Sequence, residues 1–150
     1  MDALLALHRR SRRTVVGLMS GTSLDGVDAA LVQLDGSGPD LTMDPEAFVH
    51  IPYPTALRDL IRTNTDPASS SVQDVTRLDA RLAEAYAAAV DRVAAEADVD
   101  RGTVDLVGAH GQTVCHLPEP ADCAGKDVRA TLQLGNPSRG STGCRAGAWP

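Results

Sequence analysis

Between Ser20 and Asp28 the chain reads Ser-Gly-Thr-Ser-Leu-Asp-Gly-Val-Asp, a run of small, hydroxylated and acidic residues with chemistry to offer. Gly21 and Gly26 let the backbone take left-handed conformations and approach a ligand closely. Exposed N–H groups and the hydroxyls of Ser20, Thr22 and Ser23 can cradle an anion. Asp25 and Asp28 are hard oxygen ligands suited to Mg²⁺, held directly or through water. The segment therefore reads as a nucleotide-phosphate loop. An ordinary hairpin turn built on Asx and Ser/Thr hydrogen bonds accounts for the same composition.

Two further polar clusters follow. His110-Gly111-Gln112-Thr113 closes the apolar run Val104–Ala109. In open α/β sheets that end of a strand is where ligands bind. Imidazole, amide and hydroxyl together suit a sugar's hydroxyls, and a tight turn with local hydrogen bonds explains them equally. Thr131-Leu132-Gln133-Leu134-Gly135-Asn136 ends a third apolar stretch, with Gln133 and Asn136 as polar groups, and reads as a strand and a turn. Cys115 and His116 are adjacent, so on a strand they face opposite ways and do not make a metal site with His110. A serine hydrolase using Ser20 or Ser23 would need a G-x-S-x-G elbow, which the sequence lacks.

The elements that carry these clusters follow from periodicity. Val15–Leu34 predicts a β-hairpin. Asp35–Asp40, with Gly36, Gly38 and Pro39, predicts a turn, and Leu41–Ile51 a third strand stopping before Pro52. Thr55–Thr63 predicts a short helix with Leu57, Leu60 and Ile61 on one face. Ser69–Asp98 predicts a long one, because Val75, Leu78, Leu82, Tyr86, Ala89 and Val93 recur at spacings of three or four. Ser70 or Ser71 can cap it and Asp74 suits its first turn. Its charged residues, Asp79 among them, read as a solvated surface. Val104–Ala109 and Val128–Leu134 predict strands, and Leu117–Lys126, with Pro118 and Pro120, a loop. The order implies a mixed α/β layer.

The three clusters together resemble the anhydro-N-acetylmuramic acid kinase family. Gly17 through Asp28 matches the family's first signature without a gap, His110 to Val114 with His116 and Pro118 its second, and Thr131 to Gly135 its third, with Asn136 where Asp is common. The resemblance covers Thr14 to Pro137. It implies an N-terminal lobe of an actin–hexokinase–Hsp70-like (ribonuclease H-like) sugar kinase, a mixed sheet with packed helices, left incomplete. It implies a cytoplasmic enzyme of cell-wall recycling that uses ATP and water to convert 1,6-anhydro-N-acetylmuramic acid to N-acetylmuramic acid 6-phosphate. On this resemblance Gly21, Thr22, Ser23, Leu24, Asp25, Gly26, Val27 and Asp28 bind ATP, Asp25 holds Mg²⁺, and His110, Gly111, Gln112 and Thr113 face the sugar. A homodimer stays open for a full-length version. Family members are more than twice as long, and the catalytic base is expected in their C-terminal part. The division that follows is residues 1–13 as a leader, 14–138 as a partial lobe, and 139–150 as an unstructured tail. That tail's coil-like, G/C-codon-rich composition fits an out-of-frame reading, and its alternative is a natural flexible end.

Composition limits the alternatives. A chain of 150 residues suits one domain. With 43% hydrophobic residues it can form a core, and with 3% aromatic residues that core must rest on Leu, Val and Ala. A formal net charge of -6 argues against a general nucleic-acid surface or an anionic-membrane surface. Three cysteines without a CxxC point to a reducing compartment and to neither disulfides nor a zinc knuckle. The arginines after the short apolar patch at the N-terminus are in the wrong order for a secretory signal. No apolar run approaches the ~20 residues of a membrane-spanning helix.

Overall fold

The computed structural model describes residues 5–7 and 9–136. The expected hairpin is present: β1 (Arg12–Met19) runs antiparallel to β2 (Gly26–Asp35), with Val16 opposite Leu31 and Leu18 opposite Ala29. The first strand thus begins inside the segment expected as a leader. Ahead of it, the Arg10 guanidinium pairs with Asp105, and the Ser11 carbonyl accepts from the Gly36 amide at 2.9 Å. β3 (Thr42–Pro52) lies antiparallel on the other side of β2. It is an edge strand, which is why it tolerates Pro45. The ladder slips by a residue between Leu31 and Val32, where Pro45 sits opposite.

Two helices cross back over the sheet. α1 (Thr55–Asn64) buries Leu57 and Ile61. α2 (Val72–Glu96) starts at Ser71, whose Oγ accepts from the Asp74 amide at 3.1 Å. Its stripe of Leu78, Leu82, Tyr86, Ala89 and Val93 packs on Val16, Leu18, Val27, Ala29 and Leu31 of the hairpin. Alternation puts those hairpin residues on one face. The chain then enters β4 (Leu106–His110), parallel to β1, giving the order β3-β2-β1-β4. This is a mixed α/β layer.

The other sheet face carries no helix of the described residues. Across it, Met19, Phe48 and Leu106 stand exposed, and Gly17 lies opposite Ala30 and beside Gly108.

The segment expected as a loop is strand instead. β5 (Gln112–Cys123) and β6 (Lys126–Leu134) form a separate antiparallel pair, turning at Ala124 and Gly125. Pro118 and Pro120 cannot donate to a ladder. They fall where the register shifts between Leu117 and Ala121, so the ribbon accommodates them as an irregularity. The outer part of the ribbon is exposed, and only its base, at Gln112, Val114 and Leu134, reaches the core. Among the described residues no helix is long and apolar enough to cross a membrane.

One glycine is fixed by the sheet itself. A Cβ on Gly26 would lie 2.2 Å from the Ile51 carbonyl oxygen and 2.9 Å from the Pro52 Cα. These are backbone atoms of β3 and cannot swing aside. Gly26→Ala is therefore expected to destabilise the fold by about 2 kcal/mol or more, read as a lower urea midpoint at constant slope. An unchanged midpoint would show that β3 can yield.

Candidate functional site

The site begins with Ser20. It follows β1 in the same alternation as Val16 and Leu18, so its hydroxyl turns inward, where it is 1% exposed. A hydroxyl removed from water needs partners. Ser20 Oγ lies 2.6 Å from the Tyr53 hydroxyl, 2.5 Å from Gln112 Oε1 and 3.3 Å from the Gly26 carbonyl. Gln112 is 0% exposed, and its Nε2 donates to the Gly21 carbonyl at 3.0 Å and to the Thr113 carbonyl at 3.3 Å. With the Gln112 nitrogen so engaged, its Oε1 must accept the Ser20 proton, and the Tyr53 hydroxyl must donate to Ser20. Hydrogen bonds thus run in one direction, from Tyr53 through Ser20 and Gln112 to Gly21.

Tyr86 of α2 joins the cluster and donates to the His110 carbonyl at 3.4 Å. Burial pushes both phenols above their ordinary range, so both stay protonated donors at neutral pH.

Above this buried cluster the turn from Gly21 to Asp25 faces outward. Thr22, Ser23 and Asp25 are exposed. The Asp25 carbonyl is tied down by the Tyr53 amide at 2.9 Å. Ser23 Oγ donates to Asp25 Oδ1 at 2.8 Å, and that bond is the main cause holding the Asp25 carboxyl below its ordinary value. Left-handed backbone in the turn falls on Leu24, at φ 57°, and not on either glycine. At Gly21 a Cβ would meet Ser23 Oγ at 3.4 Å, an ordinary contact, so the turn does not close off that position.

The rest of the eight-residue segment divides between core and sheet. Val27 is a core residue at 1% exposure. Asp28 sits on the open sheet face, opposite Met19, with its Oδ1 2.7 Å from His50 Nδ1. The two carboxylates therefore have separate partners, Ser23 and His50. Among the described residues no three His, Cys, Asp or Glu side chains converge on a metal position. A Mg²⁺ carried on phosphates needs only one or two carboxylates, and the exposed Asp25 is suited to that.

The second cluster splits by the same alternation. His110 is exposed at the end of β4, with its Nε2 2.9 Å from Gln133 Nε2. Because the Gln133 nitrogen donates, that imidazole nitrogen is the acceptor. Thr113 Oγ1 lies 3.5 Å from the same amide. His110, Thr113 and Gln133 thus form one outward polar group, while Gln112 faces the core.

Sequence reading placed Asp79 on a solvated surface, yet its Oδ1 accepts from the Gly135 amide at 2.8 Å and the Asn136 amide at 3.1 Å. No local pattern singles out Tyr53, and periodicity marks Tyr86 only as a position on the apolar stripe. One available signal was a pair of hydroxyls, Ser20 and Tyr86, standing in phase with apolar stripes.

The fold and site describe an α/β chain that presents a hydroxyl- and carboxylate-bearing hairpin turn beside a His/Thr/Gln group. The model of the anhydro-N-acetylmuramic acid kinase family matches residues 13–143, and the chain belongs to that family. The match runs past Pro137, where the motif resemblance ends. An anhydro-N-acetylmuramic acid kinase of Salinibacter ruber is 99% identical over 138 residues, 92% of this chain and 35% of that relative. The kinase of the same name from Caldanaerobacter subterraneus is 38% identical over an equal span, and that of Streptomyces coelicolor 43% identical over 124 residues, 30% of its length. The chain therefore spans about a third of the relatives it matches.

The Ser23–Asp25 bond has a direct test. A carboxyl whose folded pKa is depressed favours the fold above its unfolded pKa, and loses that contribution as pH falls through the folded value. Asp25 is fully exposed, so the effect is read on the group itself. In a carboxyl-carbon NMR titration Asp25 should titrate below 3.8, and Ser23→Ala should move it upward. Coincident curves for the two proteins would contradict the assignment.

Proposed function

We propose that this chain is the N-terminal part of a cytoplasmic kinase that uses ATP and water to convert 1,6-anhydro-N-acetylmuramic acid to N-acetylmuramic acid 6-phosphate in peptidoglycan recycling. The observation that carries the reading is the family match over residues 13–143, which includes both the turn and the His110–Thr113 cluster. The finer fold reading is the N-terminal lobe of an actin–hexokinase–Hsp70-like kinase. It is supported by the return of β4 parallel to β1 after a helical crossover.

On this reading Gly21 to Asp28 is the nucleotide segment, with Thr22, Ser23 and Asp25 nearest the phosphates. Phosphoryl transfer asks a protein mainly for in-line positioning and for neutralisation of developing charge. The turn supplies backbone donors and hydroxyls for the first. Asp25, ionised at neutral pH, would hold Mg²⁺, which supplies charge neutralisation when bound. His110 and Thr113 offer the sugar an imidazole and a hydroxyl. Opening the anhydro bond with water calls for a carboxylate base, assigned here to the part of the relatives beyond this chain.

A second reading follows from length. In this reading the third of the relatives' length present here, taken without the remainder, would bind phosphate or sugar without turnover. Sugar kinases close around their substrates and expel water. One assay addresses both readings. With ATP, Mg²⁺ and the anhydro sugar, the full-length relative should form phosphosugar and the purified 150-residue chain none. Asp25→Asn in the full-length protein should slow turnover by ~10²–10³. Unaltered turnover in that variant would remove the turn from the phosphate site, and dose-dependent product from the short chain would remove the remnant reading.

A further inference from the structure

The His110–Thr113 cluster reads as a unit in sequence, but its members do not share surroundings. We propose that Gln112 is a positioning residue for the nucleotide turn and not a ligand of the sugar. The proposal rests on the kinase reading above and assigns one residue within it.

Three observations carry it. Gln112 is 0% exposed, while His110 two residues earlier is exposed. Both kinds of polar atom on its amide are engaged inside the chain. Oε1 takes the Ser20 proton at 2.5 Å, and Nε2 donates to the carbonyls of Gly21 at 3.0 Å and Thr113 at 3.3 Å. A primary amide has two N–H donors, so none is left to offer a substrate. One of these bonds reaches 91 residues back along the chain and ends on Gly21, the first residue of the turn.

That last bond has a consequence for the turn's donors. In a planar trans peptide the C=O and the following N–H point in opposite directions. Holding the Gly21 carbonyl inward on Gln112 therefore turns the Thr22 N–H away from the buried cluster, to the side where Thr22 and Ser23 are exposed. Without Gln112 the Gly21–Thr22 peptide is free to rotate, and glycine resists that rotation least of all residues. Ser20 and Tyr53 hold the amide itself in place through the 2.5 Å and 2.6 Å hydrogen bonds. Gln112 thus acts on the nucleotide through the turn, from within the segment that the motif match places at the sugar.

The test is steady-state kinetics on the full-length Salinibacter ruber relative, with substitutions at the equivalent positions. ATP and anhydro sugar are varied separately, and thermal stability is recorded in parallel. Gln112→Ala should raise the KM for ATP, lower kcat, or both, by roughly tenfold to a hundredfold, and leave the KM for the sugar within about twofold of wild type. Tyr53→Phe keeps the ring and removes only the donor to Ser20, so it should shift the same ATP parameters by a smaller factor. That variant decides if Gln112→Ala does not fold. A rise in sugar KM with the ATP parameters intact would overturn the proposal and make Gln112 a sugar ligand. Lower stability with both sets of constants intact would overturn it too, leaving a purely structural amide. A wild-type protein without ATP-dependent turnover would remove the kinase reading and the proposal with it.

Discussion

The structure depends on how a single buried hydroxyl is satisfied. Ser20 follows β1 on the core side of the sheet, and within the hairpin its hydroxyl reaches only the Gly26 carbonyl, at 3.3 Å. Tyr53 arrives from the segment after β3 and Gln112 from the start of β5, so elements 33 and 92 residues away converge on one oxygen. Leaving one such partner unmade would cost about 1–3 kcal/mol. Each contact therefore ties a distant part of the chain to the hairpin turn. Tyr86 extends the tie to α2, and its ring also closes over Gly135, where a Cβ would come within 2.5 Å.

This arrangement separates rigidity from exposure. Polar groups beneath the turn are consumed in holding it. The groups on top, Thr22, Ser23 and Asp25, remain available to a ligand. A site whose first contacts are held by a buried, saturated network keeps its geometry without spending ligand-binding energy to create it. Alternation performs the same separation in the second cluster. Gln112 shares the inward phase with Val114, and His110 and Thr113 stand outside with Gln133.

Much of this was legible in the sequence where local pattern and tertiary environment agree. The hairpin reads clearly because two apolar runs flank a short polar turn. The long helix reads clearly because its apolar spacing is unbroken and Ser71 caps it. Legibility failed where distance in the chain decided the outcome. Pro118 and Pro120 argue for a loop locally, yet a two-stranded ribbon has room for a slipped register. Gln112 sits among polar neighbours and looks like a surface residue, and only its period-two relation to Val114 hints at burial. The glycines of the turn suggest left-handed backbone, whereas that conformation falls on Leu24, and Gly26 is required by the approach of β3. Asp79 looks like one more charge on a helix until the segment after β6, at Gly135 and Asn136, folds onto it.

A buried Tyr53–Ser20–Gln112 chain of hydrogen bonds holds the turn. Its most direct test is hydrogen exchange of the Gln112 side-chain amide, followed by NMR in this chain against the exposed amide of Gln73. Burial with both N–H groups bonded predicts exchange at least about a hundredfold slower for Gln112, released only by opening of the surrounding structure. Equal exchange at the two amides would rule this out, because a solvent-accessible Gln112 could not be holding Gly21.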